Sequence, residues 1–182
     1  MFKVISGLFA GILLVAVLAV YSAGSLMFQE TRSPYGVEET AARIQRNILG
    51  LKDKGWVNSG LRNPARAVNN TGGNILPVLM VEACSTQYSA PILKDDATRI
   101  LSILMPCSIT VYKKDDGHTY IGTMNSALMG RLFGSKVAEI MKEVAADQAQ
   151  MLKFDPNKPA PALIKTQPGG GGSSAGAAGG GC

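Results

Sequence analysis

Three cysteines, Cys84, Cys107 and Cys182, hold most of the nucleophilic chemistry available to this 182-residue chain. Cys84 follows the apolar run Ile75 to Ala83, and Cys107 opens onto the alternating segment Ser108-Ile109-Thr110-Val111-Tyr112. If these runs are neighbouring strands, both sulfurs fall at one sheet edge. Three readings are open for that pair. The thiols are buried small hydrophobes, as free cysteines commonly are. Alternatively they form a disulfide, which needs Cα atoms within about 7 Å and an oxidising compartment. The third reading is a functional thiol or soft-metal site, because thiolates and thioethers suit copper(I). Met80 and Met105 lie four and two residues before the cysteines, and Glu82 stands alone as a charge within an apolar strand, so these three are supporting candidates. The 22-residue gap between Cys84 and Cys107 is no zinc-finger spacing, and no Cys-x-x-Cys occurs. Copper or another soft metal is therefore the cofactor class to consider.

Other chemistries are poorly provided for. His118 is the sole histidine and falls in a turn beside Asp115 and Asp116, so a Ser-His-Asp hydrolase or a three-histidine metal site is excluded. Gly72-Gly73 lacks the helix and lysine of a phosphate loop. No catalytic set closes, and enzymatic activity is left unassigned.

The elements that must position the cysteines follow from periodicity. Val37, Ala41, Ile44, Ile48 and Leu51 recur at helical spacing, with Glu38 and Glu39 at the start and Lys52, Lys54 and Gly55 at the end, which suits the helix dipole and a glycine stop. Met27 to Thr31 alternates weakly as a first strand, and Trp56-Val57 begins another. Residues 58–74, rich in Asn and Gly, read mostly as loop. Residues 75–83 form a central strand, buried on both sides. Residues 90–104 read as one helix with Pro91 in its first turn. Ser108 to Tyr112 and Thr119 to Met124 form a hairpin around Asp115-Asp116-Gly117. A final helix after Asn125 carries Met129, Phe133, Val137, Ile140 and Val144 on one side, with Gly130 and Gly134 interrupting its first turns. The order β-α-β-β-α-β-β-α predicts an α+β two-layer sandwich, a mostly antiparallel sheet with helices on one face.

Two ends flank this domain, residues 29–156. Val4 to Phe28 holds no charged side chain and is long enough to span a bilayer as a helix. Residues 1–28 thus predict a single-pass N-terminal transmembrane anchor in the inner (cytoplasmic) membrane. Lys3 places the positive end inside, and the domain then faces the periplasm or cell exterior. The alternative is a cleaved signal peptide with a small-residue site around Ala23-Gly24-Ser25. Residues 157–182 read as a disordered Pro/Gly-rich tail, a proline spacer followed by a glycine linker ending in Cys182. The net charge of +5 invites a nucleic-acid reading. Three of those charges belong to the ends, and the domain's 15 basic and 13 acidic residues are spread along it with no nucleic-acid signature. Nucleic acid is therefore not an expected partner.

The stretch VLMVEACSTQYSAPILKDDATRILSILMPCSITVY, Val78 to Tyr112, resembles the domain-of-unknown-function family 302, a bacterial α+β domain. The resemblance rests on Ala83-Cys84, Pro106-Cys107 and Val111-Tyr112, with Ser33 to Thr40 resembling the family's first-helix entry. Ser85-Thr86 departs from the Asn-Pro that many relatives carry after Ala-Cys. The leader and tail mark this chain as a membrane-anchored variant. The resemblance implies a fold and no reaction. Relatives with both cysteines that are themselves soluble weigh against a purely structural disulfide. The tail is also similar in composition to the Gly-Gly-Cys arm of the sulfur carrier of bacterial thiosulfate oxidation. Two functions follow as expectations. One is a membrane-anchored, extracytoplasmic module binding a ligand, a protein partner or a second copy of itself. The other is a thiol-based redox, soft-metal or sulfur-carrier protein using Cys84 and Cys107, with Cys182 as a mobile third thiol.

Overall fold

The computed structural model describes residues 11–15, 17 and 24–165. The anchor expected over 1–28 lies largely outside these residues. Among the described residues no helix is long and apolar enough to cross a membrane.

Five strands, β1 (Phe28–Ser33), β2 (Trp56–Arg62), β3 (Val78–Ser85), β4 (Cys107–Lys113) and β5 (Thr119–Met124), form one sheet in the order β1-β5-β4-β3-β2, with every neighbouring pair antiparallel. The helices are α1 (Val37–Leu49), α2 (Pro64–Asn69), α3 (Thr86–Leu93), α4 (Ser126–Arg131) and α5 (Ser135–Met151). Alternation along the strands sorts side chains to two faces. Leu79, Val81, Ala83, Ile109, Val111 and Ile121 share the buried face and meet Ala41, Ile44 and Ile48 of α1 and Val144 and Met151 of α5. This is the mixed fold with an antiparallel sheet that the patterning predicts.

Two expectations are corrected. Residues 58–74 are not mostly loop: β2 continues to Arg62, and Asn63 caps α2 by accepting from the Arg66 amide (2.8 Å). An Asn cap followed by Pro64 at the first helical position is a local start signal within an Asn-rich stretch. Residues 90–104 are not one helix. Ser85 accepts from the Tyr88 amide and starts α3 early, so Pro91 lies inside the helix. The chain then turns at Asp95–Thr98 and runs as a 3-10 segment, Arg99–Leu104. The interruption expected at the start of the last helix falls at Gly134, whose φ of +89° is open to glycine and strained for other residues, while Gly130 lies within α4. The hairpin turn likewise uses Gly117 at φ +80°.

The proline-bearing segment after α5 runs alongside α1 as far as residue 165, held through polar side chains of that helix. Cys182 and the glycine linker lie outside the described residues.

Candidate functional site

The antiparallel order brings the end of β3, the start of β4 and the end of β5 to one end of the sheet. An apolar cavity of about 50 Å³ lies there, closed by α3, the 3-10 segment, α4 and α5. Its walls include both domain cysteines, Cys84 and Cys107, and four thioethers, Met105, Met124, Met129 and Met141. These sulfur residues come from β3, β4, β5, α4, α5 and the junction before β4, and only the tertiary fold assembles them. Gly130 admits the close packing of α4 on α5: a Cβ there would lie 2.5 Å from the Cβ of Met141.

Cys107 carries a free thiol, so the disulfide reading of Cys84 with Cys107 does not hold. The register explains it. Cys107 stands opposite Ala83, while Cys84 stands opposite Val57 on the other neighbouring strand. Consecutive β3 residues alternate faces, so the two sulfurs are not cross-strand partners. Burial pushes the Cys107 thiol up to about 11 from its ordinary value near 9.0. At pH 8 its alkylation by iodoacetamide is expected to run about 100-fold slower in the folded domain than in urea-unfolded chain, because only the thiolate reacts. Peptide mass spectrometry of time-quenched samples reads the ratio; equal rates would show that burial does not govern this thiol.

Among the supporting candidates, Met105 joins the cavity wall, and Met80 and Glu82 do not. Glu82 is instead ion-paired with Arg62 (2.5 Å), beside Gly60, where a Cβ would come within 2.7 Å of its carboxylate. Glu82 therefore serves as a local partner between β2 and β3. His118 accepts from Arg32 (2.8 Å) in the exposed hairpin turn. Among the described residues no three of His, Cys, Asp and Glu are grouped to hold a metal ion.

A polar node borders the cavity. Asp147 on α5 is fully buried and accepts from Lys54 Nζ (2.5 Å), Trp56 Nε1 (2.8 Å) and Tyr88 OH (3.0 Å). Trp56 and Tyr88, set edge to face at 5.9 Å, also line the cavity. Burial pushes the Asp147 carboxyl up, but the bonds from Lys54, Trp56 and Tyr88 together outweigh it and hold the group below its ordinary value. Burial and then the bond to Asp147 push Tyr88 up, and the same carboxylate pushes Lys54 up. The node is thus an ionised carboxylate with its partners protonated, and it fixes two aromatic walls of the cavity. None of these residues stands out in the sequence. The only local signal is an aspartate on the inward side of an amphipathic helix.

Fold and site together define a small α+β domain on a single antiparallel sheet, with a sulfur-lined apolar cavity at one sheet end. Residues 29–154 match the family described as "Domain of unknown function DUF302", and the chain belongs to that family. Its fold is similar to that in the "Crystal structure of uncharacterized conserved protein DUF302 from Bacillus stearothermophilus", with a TM-score of 0.60 at 21% identity, covering 70% of this chain and 96% of that one. The match agrees with the resemblance carried by Ala83-Cys84, Pro106-Cys107 and Val111-Tyr112. No curated protein matches the chain.

Proposed function

We propose that the domain is a ligand-binding module, held at the outer side of the inner membrane by its N-terminal segment, and that the sulfur-lined cavity is its site. The observation that carries this reading is the cavity itself: almost wholly apolar walls drawn from most of the elements, with Tyr88, Ser85 and Ser89 among the lining residues. Concave apolar sites with a few convergent polar groups are the usual form of small-molecule pockets. Its volume is well below the roughly 150 Å³ that accommodates benzene. The ligand is therefore a small apolar group or the tip of a larger molecule. The charge-free run from Val4 to Phe28, preceded by Lys3, supports the membrane placement.

Xenon is a suitable probe. Under xenon pressure, methyl resonances of Ile92, Val137 and Ile140 are expected to shift saturably, and Leu104→Phe is expected to abolish the shift by filling the cavity. Unchanged spectra in the wild type would sink the reading. Membrane placement is checked separately, by protease accessibility of the domain in spheroplasts.

A second reading is favoured by the lining itself. Cys107, Met105, Met124, Met129 and Met141 are soft donors around one space, which suits a copper(I) ion or another soft metal. Anaerobic competition against a chromogenic copper(I) chelator distinguishes it. Stoichiometric binding lost in Cys107→Ser supports the metal, and no withdrawal of copper from the chelator refutes it.

A further inference from the structure

The segment following α5 is held by α1 in an unusual way. Arg43 donates to the main-chain carbonyls of Asp155 and Lys158, both at 3.1 Å, and Arg46 to that of Pro159 (3.0 Å). Gln45 makes a paired contact with one residue: its amide donates to the Ile164 carbonyl (3.0 Å) and its oxygen accepts from the Ile164 N–H (2.9 Å). Asn47 donates to the carbonyls of Met151, the last residue of α5, and Lys153, both ahead of the stretch 155–164. All these partners are main-chain atoms. Arg43 is 4% exposed and Gln45 fully buried, so two polar side chains are committed to this contact under desolvating conditions, where an unpaired group is costly. Apolar anchors fix the ends: Phe154 and Leu163 pack against the main core, and Phe154 meets Tyr35 edge-on at 5.9 Å while Arg43 lies over the same ring at 4.1 Å. The segment carries Pro156, Pro159 and Pro161, residues that favour extended backbone and present free carbonyls. The family match ends at residue 154. The groove residues therefore lie within the matched domain, and what fills the groove is a strap, 155–165, just beyond the matched residues.

We infer that Arg43, Gln45 and Arg46 of α1 form a backbone-reading groove for an extended, proline-bearing peptide, and that the strap occupies it as a displaceable ligand in cis. Recognition through carbonyls and one N–H makes the groove indifferent to most side chains of its occupant. It demands an extended chain, an apolar residue at the position of Leu163 and a main-chain N–H after it. A partner peptide with these features competes with the strap for the same bonds.

The test uses the full chain with its own strap weakened by Leu163→Ala and Ile164→Pro, which removes the N–H that Gln45 accepts from. A fluorescein-labelled peptide of residues 154–165 is titrated against it by anisotropy. Saturable binding is expected. Gln45→Ala in the receptor, or Ile164→Pro in the peptide, is expected to weaken binding at least 10-fold. Asn157→Ala in the peptide is expected to change it less than twofold. Absence of binding at 1 mM peptide (an upper limit of about −4 kcal/mol) in a receptor with the wild-type circular dichroism spectrum would overturn the inference. Amide exchange in the unmodified protein is an independent test if the weakened chain does not fold. The Ile164 amide is expected to exchange at least 10-fold faster than that of Val81 in β3. Equal rates would mean that the strap leaves only when the whole domain unfolds, and would also overturn it.

Discussion

Asp147→Ala is expected to destabilise the domain by about 2–4 kcal/mol, from a loss of about 1–3 kcal/mol for the buried donor left without a partner and about 1 kcal/mol for a half-buried one. The buried donor is Trp56 Nε1 and the half-buried one is Tyr88 OH; they share one carboxylate oxygen. The third partner, Lys54, is partly exposed and can turn to water, so its share is small. Urea unfolding followed by Trp56 fluorescence reads the change. Trp56 is the only tryptophan in the chain, and it reports directly on the site. Asp147→Asn keeps the shape and one acceptor oxygen, and is expected to cost about 1–2 kcal/mol. The pH dependence has a defined sign. The folded carboxyl titrates below its unfolded value. The stability it contributes is therefore complete above the unfolded value of ~3.9 and disappears as pH falls through the lowered folded value. The difference in stability between wild type and the Asn variant is expected to shrink below about pH 4 and stay constant from there to neutrality. A gap that persists undiminished into acid would show that the carboxylate charge plays no part in the node.

Ile44→Ala is the second large effect, at about 2–5 kcal/mol, with Ile44→Val at about 0.5–1.5 kcal/mol. Ile44 is fully buried and sits among Leu79, Val81, Ile109 and Val111. Deleting three carbons there removes transfer free energy and leaves a void between α1 and the middle of the sheet, where both sides are built of rigid, regular elements and collapse little. The effect reaches further than stability. Arg43 and Gln45 flank Ile44 on the same helix and hold the strap, so a loosened α1 is expected to release the Ile164 amide to exchange sooner than in wild type. Guanidinium unfolding and amide exchange of the same sample check both halves of the prediction. A loss below 1 kcal/mol would mean that α1 repacks, and that its seat on the sheet is less defined than its burial implies.

Local pattern was enough wherever a residue's environment depended on its near neighbours in the chain. The helix around Ile44 was legible because apolar residues at spacings of three and four can share only one face of a helix. The hairpin around Gly117 was legible because a positive φ needs glycine between two alternating runs. Ala83-Cys84 and Pro106-Cys107 marked the family for the same reason: they are short, ordered motifs at strand ends. Legibility failed where a local start signal lay inside a polar or proline-bearing stretch. Asn63-Pro64 opens a helix within what reads as loop, and Ser85 starts α3 well before Pro91, which reads as a first-turn proline.

What the chain alone determined about this protein is the set of elements, their α+β order and the placing of its two domain cysteines at strand ends. Tertiary structure decided what those cysteines face. Register set Cys107 against Ala83 rather than Cys84, which removed their disulfide. Strand order then carried Met105, Met124, Met129 and Met141 to the same sheet end, although no spacing in the chain links them. Asp147 met Lys54, Trp56 and Tyr88 across separations of 59 to 93 residues, and α1 met the strap across more than 100. The physical reason is common to all of these. A hydrophobic period specifies which side of an element is buried, but it does not say which distant element buries it. Polar partners and shared cavities exist only once that choice has been made.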